Sequence, residues 1–118
     1  LAEAQVHGGM SMGLGYALSE EMLFDDACKP LNANLLDYKI PTAMDTPKLE
    51  ALFVEVDDPT GPYGNKALGE PPAIPVAPAI RNALLHATGV SVHSLPLTPQ
   101  KLIEHFRAAG LLGGEDHV

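Results

Sequence analysis

Residues 61–72 read Gly61-Pro62-Tyr63-Gly64-Asn65-Lys66-Ala67-Leu68-Gly69-Glu70-Pro71-Pro72, and an apolar run to about residue 87 follows directly. Three glycines and three prolines in twelve residues impose an irregular backbone, and the carboxylate of Glu70 has no basic neighbour in sequence nearer than Lys66. Two prolines fit the first turn of a helix, where a missing N–H costs little, and a proline pushes the residue before it out of the α region. The stretch therefore predicts a tight loop that delivers one acid to a helix start, with Glu70 outside α geometry and its side chain aimed beyond the helix end. Glutamate is a poor N-cap, so capping accounts for Glu70 less well than it would for Asp or Ser.

Downstream of this loop, Ala73, Ala77, Ile80 and Leu84 recur on one helical face, with Gly89 as the stop and a start anywhere between Pro71 and Val76. Residues 90–95 predict a short strand. Thr98-Pro99 then supplies an N-cap followed by proline at the first helical position, and Leu102, Ile103, Phe106 and Ala109 form the buried stripe of a last helix closed by Gly110. Residues 111–118 are expected to fray. Upstream, residues 49–56 alternate, with Leu52, Val54 and Val56 on one side and Glu50 and Glu55 among the other. This pattern predicts a half-buried strand ending in a turn at 57–61, where Asp57 and Asp58 cap and solvate.

Residues 31–47 lack a period and carry Pro41 and Pro47, so extended chain anchored by Tyr38 and Ile40 is expected there. Residues 21–25 predict another short strand before a turn through Pro30. From residue 2 to about 20, Val6, Met10, Leu14, Ala17 and Leu18 recur at helical steps. The fold class that results is α+β, three helices with a few short strands and one small core over residues 1–110.

The first helix contains Gly8, Gly9, Gly13 and Gly15. Each interior glycine costs about 1 kcal/mol relative to alanine, so the four together cost about 4 kcal/mol. Something must approach this backbone closely. A neighbouring helix against a small-residue face is the simpler account, and a ligand lying along the helix is the sharper one. The chain opens at Leu1, already in helical pattern with no capping residue before it, which is expected of a piece of a longer chain or of a processed subunit.

Composition restricts the function classes. Of 118 residues only seven are Lys or Arg, and the net charge is −8, which argues against nucleic acid as a partner. The single cysteine, Cys28, excludes an internal disulfide and gives too few ligands for an iron–sulfur cluster or a cysteine-built zinc site. No run is long and apolar enough to span a membrane and no signal peptide is evident, so a soluble, cytoplasmic protein is expected.

Residues 61–66 do not match a P-loop, because Ala67 follows Lys66, and Gly13 and Gly15 lack the third glycine of a dinucleotide fingerprint. His7, His86, His93, His105 and His117 show no helical i, i+4 pairing, so no protein-built metal site is predicted.

Five blocks in order carry a resemblance. They are Gln5-Val6-His7-Gly8-Gly9-Met10-Ser11-Met12-Gly13-Leu14-Gly15, then Asp37-Tyr38-Lys39-Ile40-Pro41-Thr42, then the loop of residues 61–66 with Gly69-Glu70-Pro71-Pro72. Ala77-Pro78-Ala79-Ile80 with Asn82-Ala83 follows, and Leu95-Pro96-Leu97-Thr98-Pro99 completes the set. Together they resemble the C-terminal part of the molybdenum-binding subunit of the xanthine dehydrogenase and aldehyde oxidase family, over nearly the whole chain up to about Phe106.

The resemblance implies a segment of a molybdopterin-binding domain. It also implies a molybdenum–molybdopterin cofactor, in plain or cytosine dinucleotide form, whose metal is held by the pterin dithiolene and not by protein side chains. In this family the Gly-Glu-Pro-Pro glutamate is the base that takes a proton from metal-activated water as the oxygen attacks an electron-poor carbon. That role maps onto Glu70. The family glutamine that lies against the cofactor maps onto Gln5, with Gly8 and Gly9 making room for it, and with Lys66 and Gly69 shaping the base loop. The role of His7 stays open.

The implied whole is a hydroxylase of N-heteroaromatic compounds or aldehydes, with iron–sulfur and flavin centres on other segments or subunits; this piece alone is expected to be inactive. The competing class is an acidic binding or assembly module that keeps the family fold without cofactor.

Overall fold

The computed structural model describes residues 1–113, so the expected fray of residues 111–118 lies largely outside the described residues. Three helices organise the chain: α1 (Ala2–Leu18), α2 (Val76–Thr88) and α3 (Pro99–Ala108). Short 3-10 turns at Pro62–Gly64 and Pro71–Ala73 precede α2.

The helix ends follow their chemistry. Gly89 closes α2 in the left-handed region (φ 72°), with its N–H donated to Leu85 O at 2.8 Å. The Thr98 hydroxyl accepts from the Lys101 N–H at the start of α3, and Gly110 follows its end with φ 71°. At the C-terminus of α1 the Gly15 carbonyl accepts from both Ser19 and Glu20, which stops the helix two residues before the expected end.

The strands are not formed. Among the described residues the only ladder contact is an isolated antiparallel bridge between Phe24 and Pro30. Where a strand is expected at 21–25, the side chain of Asn32 takes the place of a partner strand: its Oδ1 accepts from Leu23 N–H (2.8 Å) and its Nδ2 donates to Glu21 O (2.7 Å). Buried Asn32 thus satisfies both of its polar ends on backbone. Residues 90–95 are irregular, held by Arg81.

Residues 49–56 run without backbone pairing, and Leu52 and Val54 are 93% and 81% exposed. The alternation is present, but the half-burial expected of it is absent because no neighbouring strand within the described residues lies against it.

The α1–α2 contact is the centre of the molecule, and of the apolar stripe expected on α1 it buries Ala17 fully and leaves Val6, Met10 and Leu14 half-buried. Gly9, Gly13, Gly15 and Ala17 are buried, while Met12, Tyr16 and Leu18 are exposed. A Cβ on Gly9 would stand 2.8 Å from Pro72 Cβ, and one on Gly13 would stand 2.6 Å from Val76 Cβ. The glycines therefore let α2 and the turn before it close onto the α1 backbone, as the simpler of the two sequence accounts has it. Leu97 N–H donates to Ala17 O at 2.6 Å, and Lys101 pairs with Glu21 at 2.7 Å, so the last segment is fastened to the end of α1.

The buried apolar side chains are few: Ala17, Ala77, Val92 and Leu97. The radius of gyration is 18.6 Å, against about 13.5 Å for a compact domain of this length. The described residues thus enclose only a very small apolar core. Tyr38 does anchor its segment, donating its hydroxyl to Glu20 Oε2 at 2.9 Å, a bond that raises the phenol pKa. Ile40, expected to share that role, is 54% exposed.

Candidate active site

Two distant parts of the chain meet at the N-terminal half of α1. Gln5 Nε2 donates to the carbonyl of Gly69 at 2.8 Å, and one turn further along the helix Gly9 receives Pro72. These contacts bracket Glu70, placing the Gln-x-x-Gly-Gly and Gly-Glu-Pro-Pro segments against each other.

Glu70 departs from expectation in its backbone, which is α-like (φ −89°, ψ −25°). The steric push from Pro71 is outweighed by the hydrogen bond that closes the turn, from Ala73 N–H to Glu70 O at 2.9 Å. Its side chain is exposed and, among the described residues, takes part in no hydrogen bond or ion pair. It lines an open cleft of about 830 Å³ between α1, α2 and residues 92–95.

The floor of the cleft is largely apolar, with Met12, Tyr16, Ile74, Ala77 and Val92. Ala73, Ala77 and Arg81 follow one another at one-turn intervals along it. The far end is polar. There Arg81 Nε donates to Val92 O (3.2 Å) and its Nη2 to Ser91 Oγ, which also meets His93 Nε2 at 2.9 Å. Arg81 was not among the expected site residues; its position one turn beyond Ala77 on the cleft face is the signal that would have pointed to it.

The remaining candidates are placed as follows. Gly8 is exposed, and a Cβ built on it would meet nothing within 4 Å. Gly69 is likewise open on its Cα side while its carbonyl is held by Gln5. Lys66 is exposed and takes part in no hydrogen bond or ion pair among the described residues. The loop is shaped instead by Asp58, whose Oδ1 accepts from the Thr60 amide (2.9 Å) and hydroxyl (2.7 Å). Those bonds hold the Asp58 carboxyl below the ordinary aspartate range, so their contribution is present above that range and is lost as pH falls through the lowered value. Tyr63 and Gly64 complete the loop at positive φ (55° and 73°).

His7 is half-buried, with its Nε2 shielded from solvent, unpartnered, and 4.0 Å from Glu3 Oε1. Among the described residues no three His, Cys, Asp or Glu side chains converge as a metal site, and no helix is long and apolar enough to cross a membrane.

Gln5 and Gly8 lie about one turn apart on the exposed surface of α1. Once Nε2 is committed to Gly69, Gln5 Oε1 remains as an acceptor, and the open backbone at Gly8 permits close approach.

The chain is similar to several known proteins. A molybdopterin cofactor-binding domain family matches residues 1–47. A putative xanthine dehydrogenase molybdenum-binding subunit of Escherichia coli K12 is 59% identical over 95% of the chain, and this chain covers 15% of its length. An aldehyde oxidoreductase molybdenum-binding subunit of the same organism is 39% identical over 87% of the chain and 14% of its own length. Quinoline 2-oxidoreductase from Pseudomonas putida 86 superposes with a TM-score of 0.79 at 30% identity, over 88% of this chain and 14% of that structure. The chain thus spans about one-seventh of the length of these relatives.

Proposed function

Because the chain belongs to the xanthine dehydrogenase and aldehyde oxidase family of molybdenum-binding subunits, we propose that it forms one wall of a molybdenum hydroxylase active site, with Glu70 as the catalytic base. In this reading it is the C-terminal segment, residues 1–110, of a molybdopterin-binding domain in a cytoplasmic enzyme. The substrate class is an N-heteroaromatic compound or an aldehyde, with water as the oxygen donor. The observation that carries the reading is a free, cleft-lining carboxylate on a loop that Gln5 of α1 holds through the Gly69 carbonyl.

When bound, the molybdenum cofactor, in plain or cytosine dinucleotide form, supplies a two-electron acceptor and acidifies water. The work of this chain is to hold that group and to move a proton. Gln5 offers Oε1 to a donor on the cofactor, while Gly8, Gly9 and Gly69 keep side chains out of its way. Glu70 takes the proton released as oxygen is transferred to substrate, a task suited to a carboxylate that is not already committed to a structural bond. The apolar floor with Tyr16 and Ile74 suits a flat aromatic substrate, and the polar end at Arg81 limits how far it extends.

The rest of the machinery must come from elsewhere. One exposed cysteine cannot build an iron–sulfur cluster, so electron transfer to iron–sulfur and flavin centres is assigned to other segments or subunits. The bare apolar side chains of residues 49–56, together with Leu35, Leu36 and Met44 at more than 80% exposure, are surface that further parts of the subunit would cover.

Gly8 provides the test of the cofactor edge. In the complete enzyme Gly8→Val fills empty space on the α1 surface, so the subunit should fold and accumulate normally while its molybdenum and pterin content falls. A Gly8→Val enzyme with undiminished molybdenum would remove Gly8 from the cofactor site.

A further inference from the structure

Residues 66–69 connect the turn at 57–65 to Glu70, and among the described residues they take part in a single hydrogen bond, the one from Gln5 Nε2 to Gly69 O. The turn on one side is held by its own bonds, with Asp58 N–H to Gly64 O at 3.0 Å and Asn65 N–H to Pro62 O at 3.2 Å. On the other side Pro72 is seated on Gly9. Between these two fixed points the backbone that carries the base has one polar tether, and it reaches across 64 residues of sequence.

We propose that Gln5 is the positioning residue of the base loop. Its amide N–H fixes the Gly69 carbonyl and thereby the Cα of Glu70, while its carbonyl oxygen stays free for the cofactor. This inference rests on the reading of Glu70 as the base, and it adds a coupling: one planar amide joins occupancy of the cofactor edge to placement of the carboxylate. A glutamine serves both ends because it presents a donor and an acceptor on one rigid plane. The helix that carries it is itself fixed by the Gly9 and Gly13 contacts, so the tether has a stiff anchor.

Two substitutions separate the roles, and both suit an exposed helical position. Gln5→Glu keeps an acceptor but loses the donor to Gly69, whereas Gln5→Met loses both. If Gln5 positions the loop, both variants in the complete enzyme are cut by trypsin after Lys66 several-fold faster than wild type. Activity per molybdenum should then fall by about 10–100-fold with KM little changed, the size expected of a displaced reacting group.

Cleavage after Lys66 at the wild-type rate in both variants would overturn the tether. So would a Gln5→Glu enzyme with full activity per molybdenum alongside an impaired Gln5→Met enzyme, because that result leaves only the acceptor with a role. The proteolysis measurement needs neither molybdenum nor turnover, so failure of the tether is distinguishable from failure of the assignment of Glu70.

Discussion

Glu70→Gln in the complete enzyme is expected to retain wild-type molybdenum content and to lose turnover by about 10²–10⁴-fold, the range associated with a positioned acid or base. The amide has nearly the shape of the acid, so loop and cleft should be undisturbed. Glu70 has no hydrogen bond or ion pair among the described residues that the substitution would break, and its side chain is exposed. What changes is the capacity to accept a proton. A structural role for Glu70 would give the opposite signature, with most of the activity retained or with molybdenum lost in parallel. Because the carboxylate contributes so little to packing, this substitution separates chemistry from folding more cleanly than any other at the cleft.

The largest structural effect is expected at Gly13. A Cβ there would lie 2.6 Å from Val76 Cβ, 2.8 Å from its Cγ2 and 2.9 Å from the Ala73 carbonyl. Two of those atoms are close to or part of the α2 backbone, so relief requires the two elements to separate. Overpacking of this kind costs about 1–3 kcal/mol, and the gain in helix propensity on losing glycine returns at most about 1 kcal/mol. Gly13→Ala should therefore be mildly destabilising. Gly13→Leu, which drives three further carbons into the same contact, should prevent α1 from seating and should lower the urea midpoint of the subunit sharply. Gly8→Ala is the control, because that position opens onto empty space. Equal midpoints for Gly13→Leu and Gly8→Ala would mean that α1 and α2 do not pack as described.

These two residues also show what the sequence could and could not disclose. Helix ends were legible because their chemistry is local: Gly89 and Gly110 take up positive φ, and Thr98-Pro99 caps α3. The buried face of α1 was legible only in part. Apolar spacing favoured Val6, Met10, Leu14, Ala17 and Leu18, of which only Ala17 is fully buried, because close backbone approach selects the smallest side chains and the buried row is Gly9, Gly13 and Ala17. The alternation at 49–56 specifies two faces but not a partner, since pairing is a non-local property that no period within one strand can encode.

Glu70 lines the cleft, but its α-like backbone was not foreseen, because the turn-closing bond to Ala73 competes with the proline effect. The bond from Gln5 to Gly69 lay beyond reach for the same reason as the strand pairing: two side-by-side sites can be far apart along the chain.

The account as a whole depends on this wall facing a molybdenum cofactor in the assembled protein. Metal analysis of the natively purified assembly that contains this chain tests it most directly. The account predicts molybdenum close to stoichiometric with the chain, accompanied by pterin. A folded, homogeneous assembly that carries neither would contradict it and would leave an acidic assembly module with the family's shape.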